Sequence, residues 1–431
     1  MAEIDLTVER LVAGGDGLGF HAGRAVFIPF TAPGDHVRAR LTRMGKHFHR
    51  AEVATLLAPG PERIAPLCSL YGHCGGCQLQ HLQPQSCQMA KQGFVVDALH
   101  RIGHIADAAA LTRPLLAAPV TTGYRRRASF KVREIQGRIL VGFFAPGSHH
   151  LLDLAHCPVL HPALASLLHP LRHLLGTLTM RARLPQVDVV QGDNGTALIC
   201  HLLDPLSGKD RERLIQFARD LGLLQLWLQG GRKHNLLPLV TETEPLYHLD
   251  GLELRFRPGD FTQANFEQNQ HLVRQAMAWA GSGSRAVDLF CGVGNLTLPL
   301  GQRFTEVLGL EGYGPAVERG LANAQANRLG HIAFRQMELH GKPPLPIPEL
   351  TEADICLVNP PRTGALSVMK SLVAAQVPRV VYVACDPATF ARDAAHLVHH
   401  GYRLEQIQPL DMLPLTHHVE TIALFVWDGS S

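Results

Sequence analysis

The sequence predicts a multidomain α/β protein built from three units in series. These are a small N-terminal β-barrel over 1–58, a middle α/β unit over 59–255 that carries a cysteine cluster, and a C-terminal doubly wound α/β unit over 256–431. Three observations predict it. Short strand-like runs broken by Gly and Pro fill the first part, three closely spaced cysteines follow, and a regular βαβ alternation with one glycine turn occupies the last part.

In the first part, LTVERLVAGGDGLGF, RAVFIPF, TAPGDHVRARLTRM and HRAEVATLL read as short alternating strands, and closure into a small barrel removes their edges. PGPERIAPLC is a proline-rich connector. Apolar residues at helical spacing, from Met89 through Phe94, Val95 and Leu99 to Ile102, predict a helix over Ser86–Ile105, which is placed to pack on the last unit. Strands in YRRRASFKVRE, GRILVGFFAPG, QVDVVQG and GTALICHLL, with a helix in KDRERLIQFARDLG, make the middle unit. From 256 onward FEQNQHLVRQAMAWAG, NLTLPLGQRF, GPAVERGLANAQANRLG and TFARDAAHLVHHG read as helices between strands, and GYRLEQIQPLD with VETIALFVW as a closing antiparallel hairpin. Such a sheet binds its ligand at the strand C-termini.

Composition narrows the function classes. The chain is 46% hydrophobic and 18% charged with a formal net charge of +3. No run of about eighteen apolar residues occurs. The start, MAEIDLTVERL, lacks a basic stretch followed by an apolar one. A membrane span and a secretory signal are therefore not expected, and the cytoplasm is. Two local basic clusters suit phosphate contacts: Arg38, Arg40, Arg43, Lys46 and Arg50, and Arg125, Arg126, Arg127, Lys131 and Arg133 on a hairpin near Tyr124–Arg133. The 25 histidines show no metal-ligand spacing. The 9 cysteines, an odd count, argue against a disulfide framework.

Asp288-Leu-Phe-Cys-Gly-Val-Gly-Asn295 follows an apolar strand, and Gly292 and Gly294 allow a tight turn against a ligand. Glu311 closes the next strand, placed for ribose hydroxyls. The turn is not G-x-G-x-x-G, so a nicotinamide dinucleotide fits less well than S-adenosylmethionine, which has ribose hydroxyls but no pyrophosphate. Asn359-Pro-Pro-Arg362 comes after the strand DICLV at the same crevice edge, and its prolines aim Asn359 at the site. Cys385 lies just past the strand RVVYVA and before a helix, whose N-terminus is expected to favour thiolate. Glu420 opens the last strand and is a candidate base. A thiolate and a base suit methylation at uracil C5, a poor nucleophile until a thiolate adds at C6. Cys68-x5-Cys74-x2-Cys77 supplies three metal-ligating thiols. By spacing alone the fourth is Cys87 or Cys157, and zinc is as admissible as iron.

Taken together, DLFCGVGNLTLPL, NPPRTG, VACDPATFARD and DMLPLTHHVE, in this order, resemble the RNA 5-methyluridine methyltransferase family over essentially the whole chain. GGDGLGF, VFIPF and APGDHVRARL resemble a TRAM domain, a small RNA-binding barrel of OB-like build. The resemblance implies a Rossmann-like class I methyltransferase unit, Cys385 as nucleophile and Glu420 as base. It puts adenosylmethionine on Gln263, Phe290, Asn295, Glu311, Glu338 and Asn359. It also implies a [4Fe-4S] cluster on Cys68, Cys74, Cys77 and Cys157, the last in the context CPVL. The family usually has Asp where Asn359 stands, Asn or Asp at Glu338, and commonly Phe at Leu413; an amide at Asn359 can donate as well as accept. Barrel and cluster together resemble the branch acting on large-subunit (23S) rRNA, whereas the tRNA branch commonly lacks both. RNA is thus the expected partner, with no obligate protein partner. The competing readings are a tRNA uridine C5-methyltransferase, an RNA N-methyltransferase using NPPR, and a non-catalytic RNA-binding factor.

Overall fold

The computed structural model describes residues 2–231, 235–341 and 346–429. Strands β1 (Glu3–Leu11), β2 (Gly17–His21), β3 (Arg24–Ile28), β4 (His36–Met44) and β5 (Phe48–Ala58) close into a barrel in the order β1-β2-β3-β5-β4. Strict alternation buries Ile4, Leu6 and Val8 of β1 against Val26, Ile28, Val37 and Ala39. The antiparallel pairing of β1 with β2 is so close that a Cβ on Gly19, opposite Val8, would stand 2.6 Å from the Thr7 carbonyl oxygen. The barrel is tied to its connector by buried Asp35, which accepts from the amides of Ala32 (2.6 Å) and Gly60 (2.8 Å) and from Arg63 at 2.6 Å. Burial opposes ionisation of this carboxyl, yet Arg63 and the two amides hold it below the usual range.

The middle unit is a 7-stranded sheet of β6 (Arg127–Ile135), β7 (Arg138–Phe144), β8 (Leu151–Asp153), β9 (Gln186–Gln191), β10 (Thr196–Leu202), β11 (Gln225–Gly230) and β12 (Leu236–Thr241). Its order is β12-β11-β10-β9-β6-β7-β8, with only β10 and β11 parallel. Helices Leu168–Thr177 and Gly208–Asp220 place Leu171, Leu175 and Leu214 in its core. A hairpin of β13 (Leu246–Leu249) and β14 (Leu252–Arg255) leads into the last unit.

That unit holds β15 (Gly283–Leu289), β16 (Phe304–Glu311), β17 (Ile332–Gln336), β18 (Ile355–Val358), β19 (Arg379–Ala384), β20 (Tyr402–Leu410) and β21 (Glu420–Trp427). Their order is β17-β16-β15-β18-β19-β21-β20. Strands β15 to β19 are parallel, and β21 slots antiparallel between β19 and β20. The order reverses between β15 and β18, which opens a crevice at their C-terminal ends.

Two local expectations shift. Helix Pro84–Arg101 stops short of residue 105, because the chain turns at Gly103, whose amide donates back to Ala98. Its Val95, Ala98 and Leu99 join the core of the C-terminal unit beside Phe390 and Ala394. NLTLPLGQRF is α-helical only over Thr297–Leu300, where Pro299 removes a donor and Gly301 follows. Among the described residues no helix is long and apolar enough to cross a membrane.

Candidate active site

The crevice holds a cavity of ≈ 610 Å³ whose walls include Gln263, Phe290, Glu311, Asn359, Cys385 and Glu420. At the end of β15, Phe290 adopts φ +62 and lays its ring 5.1 Å from that of His340. Gly292 and Gly294 follow at φ +54 and +101, and a Cβ on Gly294 would lie 2.3 Å from Leu298. Glu311 is held in place, accepting from Gly292 N at 3.1 Å and Tyr313 N at 2.9 Å. Beneath the turn, Asp288 accepts from Thr297 Oγ1 at 2.6 Å, and burial pushes its carboxyl up to about 7.

Two of the expected cofactor residues stand apart from this lining. Asn295 is turned into the protein, exchanging hydrogen bonds with Asn269 (3.0 and 2.8 Å) and accepting from Tyr247 at 2.9 Å. Glu338 is exposed beside Gly312 and accepts from His340 N at 2.7 Å.

Cys385 and Glu420 come together through the sheet. Ala384 of β19 pairs with Thr421 of β21, so the next residue outward on each strand is Cys385 and Glu420. Glu420 is only 6% exposed, and burial raises it to about 7 although Arg362 pulls the other way. The expectation that the helix N-terminus favours thiolate at Cys385 is corrected. Burial first, then the charge of Glu420, push the thiol up to about 11. The helix amides are already taken: Asp386 caps them, accepting from Ala388 N (3.0 Å) and Thr389 N (2.9 Å), and its own charge also opposes thiolate.

Arg362 and His418 were not singled out from the sequence. Arg362 is the cation that favours ionisation of both Cys385 and Glu420, and one of its guanidinium nitrogens lies 3.3 Å from His418 Nε2. Its place directly after the two prolines was the available signal. Cys385, Arg362 and His418 also line a second cavity of ≈ 590 Å³, reaching Arg50 and the edge-to-face pair Phe27–Phe48 (5.5 Å) on the barrel.

The basic hairpin is a partial correction. Tyr124 is buried and donates to the Pro414 carbonyl at 2.8 Å. Arg127 donates to the carbonyl of Asp260, and Arg126 pairs with Asp193 at 3.0 Å over the ring of Phe266. Lys131 donates to Gln186. These cations bind the middle unit to itself and to the Gln263 loop; Arg125, at the cavity wall, donates to the Arg127 carbonyl at 3.0 Å, which leaves exposed Arg133. On the barrel, Arg38 meets Asp5 (2.8 Å), Arg40 approaches Glu52 (3.6 Å) and Arg50 meets Asp16 (3.0 Å). Acids distant in sequence thus neutralise a stretch that contains none, while Arg43 and Lys46 have no acidic partner among the described residues.

Cys68, Cys74, Cys77 and Cys157 line one cavity of ≈ 340 Å³. Cys87 does not join them; it is buried in helix Pro84–Arg101, with its thiol 3.4 Å from the Leu79 carbonyl oxygen, and burial pushes it up to about 12. Burial also raises Cys77 to about 11, and neighbouring Cys157, Cys74 and Cys68 add to it. Gly76 N donates to Cys74 Sγ at 3.4 Å, and Leu160 N donates to the Cys157 carbonyl at 3.3 Å. Among the described residues no three metal-ligating side chains are gathered to coordinating distance.

Comparison with known proteins agrees with this architecture. A family model described as tRNA (Uracil-5-)-methyltransferase matches residues 107–340 and 349–426, and one described as TRAM domain matches 2–54. The chain is 39% identical to the 23S rRNA (uracil(1939)-C(5))-methyltransferase of Alkalilimnicola ehrlichii, over 98% of this chain and 96% of that protein. It is 38% identical to the protein of the same name in Pectobacterium atrosepticum, over 99% and 94%. A solved structure of the Pyrococcus abyssi tRNA (uracil-54, C5)-methyltransferase with S-adenosyl-L-homocysteine shares the fold, with a TM-score of 0.75 at 22% identity, covering 98% of this chain and 100% of that one. By sequence and by fold, the chain belongs to the tRNA (Uracil-5-)-methyltransferase family.

Proposed function

We propose that this chain transfers a methyl group from S-adenosylmethionine to carbon 5 of a uridine in 23S ribosomal RNA, with Cys385 as nucleophile and Glu420 as base. The observation that carries this reading is the β19–β21 register, which brings one thiol and one carboxyl to the wall of the cavity that also holds the glycine turn. The curated relatives' names support the uracil C5 chemistry and the ribosomal substrate, and such a substrate implies work in the cytoplasm.

The cavity fits adenosylmethionine. Gln263, Phe290, Glu311 and Asn359 line it, and Gly292, whose Cβ direction is open, lets a ligand approach the backbone. Bound there, adenosylmethionine supplies an electrophilic methyl. The thiol of Cys385 gives up its proton to solvent as its sulfur bonds to uracil C6, and the C5=C6 electron pair moves into an enolate at O4. Arg362 favours the sulfur anion at this moment. C5 then takes the methyl. Glu420, poised at about 7, removes the C5 proton; the C5=C6 bond re-forms and the sulfur leaves as thiolate.

The four cysteines that line the cavity of ≈ 340 Å³ are read as ligands of a [4Fe-4S] cluster. Their shared cavity supports a metal there, and the Gly76 amide on Cys74 Sγ is the kind of donor that favours thiolate sulfur, against the burial that raises the Cys74 and Cys157 thiols. Iron and acid-labile sulfide in the purified protein separate this reading from zinc.

RNA carrying 5-fluorouridine tests the chemistry. The fluorine cannot be removed as a proton, so a denaturant-stable, methylated protein–RNA complex is expected; an active enzyme that forms none refutes the reading. Labelling of unmodified total RNA tests the substrate. The label belongs on 23S rRNA, and label confined to tRNA assigns the chain to the other branch.

A further inference from the structure

The loop bearing three of the cysteines reaches beyond its own cavity. Gln78 follows Cys77, and its carboxamide joins two distant segments. Nε2 donates to the Gly75 carbonyl at 2.9 Å, while Oε1 lies 3.4 Å from His417 N and 3.1 Å from His417 Nδ1. The amides of Gln78 and Leu79 both donate to the Leu415 carbonyl, at 3.1 and 3.0 Å. Leu415 has φ +65, a conformation that a branched side chain disfavours, so these two donors hold a strained turn in place.

From there the contacts run to the reacting groups. The His417 and His418 rings touch, their centroids 4.2 Å apart and their planes tilted by 43°. Arginine can only donate, so the 3.3 Å contact from Arg362 makes His418 Nε2 an acceptor and puts its proton on Nδ1. Burial, with neighbouring cations, keeps His418 neutral and able to accept. Arg362 in turn lines the same cavity as Cys385 and Glu420.

We propose that Gln78 is a positioning residue for the reaction, holding Arg362 against Cys385 and Glu420 through His417 and His418, so that the cysteine loop sets the geometry of the catalytic pair. This rests on the reading of Cys385 as nucleophile and Glu420 as base. The loop is then part of the catalytic frame as well as a ligand holder.

Gln78 is half-buried, and Gln78→Met keeps its bulk while removing both side-chain links. Turnover is expected to fall roughly tenfold or more, with KM for RNA and for adenosylmethionine unchanged. The covalent complex with ordinary RNA should also persist longer than in the wild type. His417→Phe, which keeps an aromatic ring against His418, should lower turnover similarly, and the double variant should be no worse than the poorer single. Wild-type turnover in Gln78→Met, a loss confined to KM, or single effects that multiply in the double variant would overturn the proposal. Absence of a 5-fluorouridine complex in the wild-type protein would instead refute the reading of Cys385, so the two failures are distinguishable.

Discussion

Ala384 and Thr421 face each other across the antiparallel ladder of β19 and β21, and this one register sets Cys385 beside Glu420. Residues at opposite ends of a long connection become neighbours because β21 enters the sheet between β19 and β20. A slip of one residue would turn Glu420 to the other face of the sheet.

The two groups serve different halves of the reaction and should fail differently. Cys385→Ala should abolish both methyl transfer and the covalent complex. Glu420→Gln should still form the methylated complex but release it roughly 10²–10⁴-fold more slowly. Gel analysis of labelled RNA in denaturant distinguishes them. Continued methylation by Cys385→Ala would favour an N-methyltransferase reading of the Asn-Pro-Pro-Arg motif.

The raised carboxyl of Glu420 predicts a pH signature. As the base it works when ionised, so product release should slow as pH falls below about 7. Stability runs in the opposite sense. The folded group keeps its proton to about 7 and the unfolded one to about 4.5, so between these values the native state binds more protons and loses stability as pH rises. Glu420→Gln removes that loss, on the order of 3 kcal/mol across the window. Thermal melts of both proteins at pH 5 and pH 8 should show the variant's advantage growing with pH.

Gly294→Ala tests the cofactor turn. At φ +101, with Leu298 2.3 Å from the added Cβ, the substitution should cost about 1–3 kcal/mol in the turn. Adenosylmethionine affinity, read by calorimetry, should fall; unchanged affinity would mean that the ligand does not rest on this turn.

Metal content separates the two candidate fourth ligands. Cys157→Ser should lose most of the bound metal, whereas Cys87→Ala should retain it, since Cys87 lies outside the thiol-lined cavity. Elemental analysis with the visible absorption spectrum reads the outcome, and the reverse pattern would reassign the ligand.

The barrel's cations should not contribute equally to RNA binding. Arg38 is occupied by Asp5. Arg43 and Lys46 have no acidic partner among the described residues. Arg43→Ala and Lys46→Ala should each lower the slope of log affinity against log salt by roughly one, and Arg38→Ala by less. Equal losses at all three positions would show that the ion pair yields to phosphate.

Much of the site was legible in the sequence because the signals are local. Gly292 and Gly294 mark a turn that other residues would strain. Strand-end positions bring Glu311, Asn359 and Cys385 to one sheet edge in any doubly wound fold. Arg362 sat in plain view after two prolines, but a side chain's electrostatic partners are not a matter of spacing. The misread residues share one feature, that their surroundings come from distant segments. Arg127 reads as a free cation until Asp260 receives its hydrogen bond, and Arg38 until β1 delivers Asp5. Cys385 at a helix N-terminus reads as a thiolate until Asp386 takes the amides and burial raises the thiol.

The sequence by itself therefore determined the three-part architecture, the glycine turn, and which residue types could act. Backbone conformation and hydrophobic period are written within a few residues of each position, so a linear reading recovers them. Only the tertiary structure decided protonation, pairing and register. It raised Cys385 and Glu420, engaged the hairpin arginines internally, and joined Gln78 to His417. Desolvation and charge coupling depend on the sum of distant groups packed around a side chain, and that sum exists only once the chain has closed on itself.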